Sequence, residues 1–257
     1  MTRRTLSKHF QSHFAFPAPD QIPNTIRTLI LDGMRIHGRP LVVLVAFVDQ
    51  GRVCWSFAAQ EDTAAWHAFL CRFPRPEVVV CDGQKGLYKA ISILWPQIPL
   101  QRCHFHVAQL ARRYLTRSPR TDAGCDARTL IHAIPRVSTL VAAQAWRQSW
   151  DAWEEQYAVV LSERTRYTDG TRIRWWYAHR NLRGIRSLIR GALPNLFTHL
   201  AYQGTPNTTN HVEGGVNAII AEALRLHRGL RIHQKKTLVS LLLTERNQRK
   251  NATRKFS

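Results

Sequence analysis

Every strand-like stretch of this 257-residue chain lies before His106, so one sheet must be built from the first hundred or so positions and helices from most of the rest. TLILD from Thr28, RPLVVLVAFVD from Arg39 and RVCWSFAA from Arg52 are short β-branched or aromatic runs, with Gly33, Gly38 and Gly51 at or near their connections. They predict an antiparallel meander. Ala65, Trp66, Phe69, Leu70 and Phe73 then recur at helical spacing. A strand into Asp82, a helix from about Gly86 and a short strand near Leu100–Cys103 follow. The expected order is β-β-β-α-β-α-β.

The remaining chain divides by pattern. Residues 107–205 are expected to form an all-helical insertion, with Trp146, Trp150 and Trp153 on one helix and Trp175 and Trp176 on another. After the turn-forming run QGTPNTTN, positions Val212, Val216, Ile219, Ile220, Ala223 and Leu224 mark one helical face, and a second helix lies near Lys235–Arg246, completing a segment over 206–246. Residues 1–26 read as a basic arm broken by Pro17, Pro19 and Pro23. Residues 247–257 read as a polar, basic, disordered tail.

The strand in EVVVCDGQKGLYKAI drives four apolar residues into Asp82. Strands this apolar are covered on both faces, and ligands of open α/β sheets sit at the carboxyl ends of such strands. The plainer alternative is that Asp82 initiates a turn or caps the next helix. The order of elements is that of an RNase H-like core, an α/β fold with a mixed sheet flanked by helices, in which the first and fourth strands are neighbours. Alternation in TLILD puts Ile30 and Asp32 on one face, which sets Asp32 near the level of Asp82. Two carboxylates this close repel unless divalent cations sit between them. Glu213 in TNHVEGGVNAII is the candidate third acid. Its alternative role is a capping box with Asn210. Gly214 and Gly215 each weaken a helix by roughly 1 kcal/mol, so close approach of another backbone or of a nucleic-acid strand is expected there.

Charge narrows the partners. There are 37 Lys+Arg against 17 Asp+Glu, a net charge of +20 and a pI near 10.9. A surface so basic gains counterion-release affinity for nucleic acid without reading sequence. No apolar run is long enough to span a membrane, and MTRRTLSKHFQSHF lacks an apolar signal core. These features predict a cytoplasmic protein. The five cysteines include no CxxC pair, which argues against a disulfide framework or zinc ribbon. Cys103 and His106, with His104 between them, supply too few ligands for structural zinc. His106 is expected to reach a phosphate or a carboxylate of the triad, and Cys103 either supports the site or packs in the core. Trp175 and Trp176 lie among Arg172, Arg174, His179, Arg180, Arg183 and Arg186. That interleaving suits stacking on splayed bases; the alternatives are an indole in the insertion's core and a solvated arginine face.

LILDGMRI, VVVCDGQKGLYKAI, QRCHFHV, WWYAHRNLRGIRSLIRGALPNLFTHL and TTNHVEGGVNAIIAEALRLHRGL together resemble the Mutator-like branch of bacterial insertion-sequence transposases, from about Arg27 to Asn247. The resemblance implies a DDE triad of Asp32, Asp82 and Glu213 on an RNase H-like fold. It also implies two Mg2+ or Mn2+ ions, transposon-end and target DNA as partners, and a homodimer or higher oligomer on DNA in the nucleoid. Cys103 and His106 match the family's Cys-x2-His element. The spacings, 82 − 32 = 50 and 213 − 82 = 131, fit an insertion before the third acid. Family members usually begin with a much longer zinc-binding or helix-turn-helix region, so a chain without most of its end-binding region is expected. The alternatives are an RNase H-like nuclease without strand transfer, and a catalytically idle remnant that binds DNA or transposase and inhibits it.

Overall fold

The computed structural model describes residues 22–36, 40–48, 51–209 and 213–254. Most of the basic arm, Gly38, Asn210, Val212 and the last three residues lie outside the described residues. The elements begin with β1 (Thr28–Arg35), β2 (Val42–Val48), β3 (Arg52–Ala58), α1 (Thr63–Leu70), β4 (Val78–Cys81), α2 (Lys85–Leu94) and β5 (Leu100–Arg102). Helices α3 (His104–Leu115), α4 (Asp122–Ala133), α5 (Leu140–Gln156) and α6 (Ala158–Ser162) follow, then strands β6 (Arg164–Asp169) and β7 (Arg172–Tyr177). The chain continues through α7 (Arg180–Ala192), a π-helical turn (Glu213–Asn217), α8 (Ala218–Leu226) and α9 (Ile232–Arg254). No described helix is long and apolar enough to cross a membrane.

Strands β1 to β5 form one sheet in the order β3-β2-β1-β4-β5, so the first and fourth strands are neighbours and the fold is the expected α/β type with an RNase H-like sheet. β1 pairs with β2 and β2 with β3 antiparallel, with Asp32 opposite Val45 and Val45 opposite Trp55. Every residue of β2 and of β4 is buried, which is why both read as unbroken apolar runs.

The described residues fall into two compact units, one within Met1–Val79, Gln84–Ile98 and Thr209–Ser257, the other within Val80–Gly83 and Pro99–Thr208. In the first, Val43, Val45, Phe47 and Val53 of the meander share a core with Val216, Ile220 and Leu224 of the π turn and α8 and with Val239 and Leu243 of α9. The outer strand β3 is closed by polar groups of α9. Asn247 Oδ1 accepts from Val53 N at 3.0 Å and its Nδ2 donates to Val53 O at 2.8 Å, while Trp55 Nε1 donates to Ser240 Oγ at 3.1 Å. Satisfying an edge strand in this way removes a template for aggregation. For residues 247–254 it also corrects the reading of a disordered tail: α9 runs to Arg254, because its polar Asn247 is a buried anchor rather than a solvated residue.

In the second unit, Trp146, Trp150 and Trp153 stack along one face of α5, with centroids 5.9 and 4.7 Å apart, amid Val107, Ala127, Ile131, Ile185 and Ile189 of α3, α4 and α7. Their indole N–H groups reach Leu130 O, Glu154 Oε1 and Ala123 O, so burial leaves none of these three donors unpaired. The insertion is not all-helical. β6 and β7 pair antiparallel from Arg164↔Tyr177 to Asp169↔Arg172. RYTDGTRIRWWY holds the reason: Asp-Gly supplies the turn, with Gly170 at φ 59°, and Thr, Tyr, Ile and Trp favour a pleated ribbon.

Candidate metal centre at the first and fourth strands

Asp82 follows the last residue of β4, and Gly83 turns the chain at φ 83°, where any Cβ is disfavoured. The Arg102 guanidinium occupies the space a side chain at position 83 would need. The cap of α2 is Gln84, not Asp82. Gln84 Oε1 accepts from Leu87 N at 2.6 Å, and its Nε2 donates to Glu61 O at 2.7 Å. Burial and the neighbouring Asp82 charge push the Cys81 thiol up, keeping it neutral and a poor ligand.

Asp32 is buried, at 4% exposure. Asn217, the last residue of the π turn, donates from Nδ2 to Asp32 Oδ2 at 2.6 Å. Its Oδ1 is buried with no hydrogen-bond partner among the described residues. Sequence reasoning passed over Asn217, although it stands four residues after Glu213, the spacing of one helical face. Glu61 was passed over too; its carboxylate lies where a side chain at Gly33 would be.

His106 sits in the first turn of α3, three residues beyond Cys103 at the N-cap. One ligand atom from each of Asp32, Asp82 and His106 lies within 4.8 Å of the others. Cys103 is not in this group. It is fully buried, its Sγ is 3.6 Å from Thr208 Oγ1, and its N–H donates to Cys81 O at 2.9 Å. His104 points elsewhere. Its Nε2 donates to Leu196 O at 2.6 Å, and burial pushes its pKa down to about 4, so it is a neutral packing group. The backbone of Glu213 opens the π turn that ends at Asn217. A Cβ on Gly215 would meet no described atom within 4 Å, so the close approach of another backbone expected near there is not seen at Gly215 among the described residues.

The donor set fits a divalent cation. Two carboxylates and an orphaned amide oxygen beside one of them are the oxygen ligands that Mg2+ and Mn2+ prefer, and one imidazole shifts the balance toward Mn2+. Asn217→Asp tests this without touching the acids. Without metal it sets a carboxylate against buried Asp32 and lowers the melting temperature by several degrees, at about 2–4 °C per kcal/mol; Mn2+ restores most of the loss. Thermal melts with EDTA and with Mn2+ measure it, and equal melting in both contradicts it.

The expected DNA-contacting residues are displayed on the hairpin and the helix after it. Trp175 is 50% exposed and Trp176 38%, so neither indole fills the insertion's core. Arg164 stacks over Trp175 at 4.2 Å. Arg183 stacks over Tyr177 at 3.4 Å and donates to Leu161 O at 2.8 Å, which commits it to holding the hairpin's base. Arg174 and Arg180 are exposed, and the backbone of Arg172 stands opposite that of Asp169 in the ribbon's register.

A family model for transposases of the Mutator family matches residues 34–181, more than half of the chain. The chain belongs to the Mutator family of transposases. The matched stretch of this transposase-family chain contains Asp82, Cys103, His106 and the hairpin, while Asp32 and Glu213 lie outside it. A Corynebacterium diphtheriae protein named "Probable transposase for insertion sequence element" is 24% identical over 153 residues, 50% of this chain and 44% of that relative. The alignment therefore spans less than half of the relative's length.

Proposed function

We propose that the chain is the catalytic domain of a DDE transposase, cutting DNA at insertion-sequence ends and joining the freed 3′-OH to target DNA, with Asp32, Asp82 and Glu213 as the three acids. The observation that carries this reading is the convergence of Asp32, Asp82 and His106 within 4.8 Å, in a chain of a transposase family. Two divalent ions held by these groups would supply Lewis-acid stabilisation of the phosphodiester oxygens and a nucleophile at neutral pH. Asp32 and Asp82 provide the negative charge that holds it. Asn217 fixes the Asp32 carboxylate through its hydrogen bond. His106 serves as a further ligand or as a contact to the scissile phosphate, and Cys103 supports the turn that presents it. The net charge of +20 and the exposed hairpin with Trp175, Trp176, Arg172, Arg174 and Arg180 provide the DNA contacts, with Arg183 bracing the ribbon. A homodimer on DNA places two such centres on two ends.

A joining assay decides among transposase, nuclease and idle remnant. The full chain is incubated with Mn2+, a pre-cut insertion-sequence end bearing a free 3′-OH, and a supercoiled target. Covalently joined product supports the proposal. Nicked target without joining favours an RNase H-like nuclease, and bound but unaltered DNA favours an inactive DNA-binding chain.

A further inference from the structure

The second unit holds an open cleft of about 970 Å³, formed by the end of α3, the loop into α4 and the corner between β7 and α7. Tyr114, Trp176 and Tyr177 line it together with Arg120 and Arg180, and no described carboxylate does. Glu163, a nearby acid, is engaged by His179 Nε2 at 2.9 Å. Neither Arg120 nor Arg180 has a hydrogen-bond or ion-pair partner among the described residues. Two cations lining an aromatic-walled cleft, with no described carboxylate to neutralise them, call for an anion attached to a flat apolar group.

A second cleft, of about 560 Å³, shares Ser118 and Pro119 with the first and carries Arg128, His132 and Arg136, again without a described carboxylate. A free mononucleotide would use the first cleft alone. A polynucleotide uses both, since its phosphates repeat along the strand. The ribbon's register separates the two tryptophans. Trp176 pairs with Thr165 and lines the cleft; Trp175 pairs with Arg166 on the opposite face, under Arg164.

We infer that the first cleft takes one unpaired nucleotide of a DNA strand, its base stacked on Trp176 and its phosphate held by Arg120 and Arg180, with the strand continuing across Ser118–Pro119 into the second cleft. The inference rests on the DNA-processing reading above but names a site that reading does not need. An intact duplex hides its base faces, so only an overhang or a nucleotide drawn out of the helix can stack there.

The test uses the full chain in EDTA, where cleavage does not interfere. Fluorescence anisotropy compares a blunt duplex with the same duplex carrying a short single-stranded overhang. The expected result is roughly tenfold tighter binding of the overhang, a preference lost in Trp176→Ala and largely kept in Trp176→Phe. Trp175→Ala weakens both duplexes but keeps the preference. Circular dichroism checks that each variant is folded, as the exposure of Trp176 leads one to expect. Equal affinity of the wild type for the two duplexes, or an unchanged preference in Trp176→Ala, overturns the assignment. If blunt-duplex binding and Mn2+-dependent cleavage persist in that case, only the cleft assignment falls; if the chain binds no DNA at all, the DNA-processing reading falls with it.

Discussion

Asp82→Ala is expected to lose metal-dependent DNA cleavage by at least about a thousandfold while remaining folded, because on the proposed reading it removes one of the two carboxylates that hold the cation. Asp32→Asn does the same. Asn is the better test at position 32, since the residue is buried and bonded to Asn217 and truncation to Ala would confound catalysis with stability. Glu213→Ala and His106→Ala then separate two versions of the centre. If Glu213 is the third acid, its loss equals that of Asp82, and His106→Ala is milder. If the Asp32, Asp82 and His106 group is sufficient alone, the ranking inverts. Cleavage of a labelled insertion-sequence end in Mn2+, beside circular dichroism of each variant, measures both. Wild-type rates for Asp82→Ala would show that Asp82 takes no part in cleavage.

DNA affinity falls by about three decades or more between 50 and 200 mM salt, provided that several phosphates are neutralised. The cause is the net charge of +20, spread over arginine-rich surfaces such as the hairpin. Phosphate contacts orient a protein but carry no sequence information, so an insertion-sequence end and a scrambled duplex lose affinity in parallel, with a preference below about a hundredfold for the end. Titrations of both duplexes at several salt concentrations measure the slope and the ratio. A shallow slope or a large preference would mean that base contacts, rather than charge, dominate.

The parts of the fold legible in the sequence were those whose signal is periodic or abrupt. β2 and β4 are buried throughout, and a buried strand writes itself as an uninterrupted apolar run. Asp82 stood out because a carboxylate ends such a run, and the adjacency of β1 and β4 followed from the order of elements. Trp146, Trp150 and Trp153 were legible as one helical face by their spacing. The hairpin of β6 and β7 was missed although Asp-Gly marks its turn, because the surrounding arginine and tryptophan content resembles the helices that flank it. Asn247 and Asn217 were illegible for another reason. Each works through hydrogen bonds to a strand more than a hundred positions away, Val53 and Asp32 respectively, and a local pattern carries no trace of such a partner. Gln84 shows the same limit over a shorter range: its capping of α2 frees Asp82 from the role that a turn-forming Asp-Gly pair suggests.

Whether Asp32 and Asp82 together hold a divalent cation is tested most directly by a crystal of the full chain soaked in Mn2+. The expected result is an anomalous peak within about 2.0–2.4 Å of one carboxylate oxygen from each aspartate, the range of hard-cation to oxygen bonds, and no peak in crystals of Asp82→Ala. Wild-type crystals with no Mn2+ at these carboxylates, or an equal peak in the Asp82→Ala crystals, would contradict it.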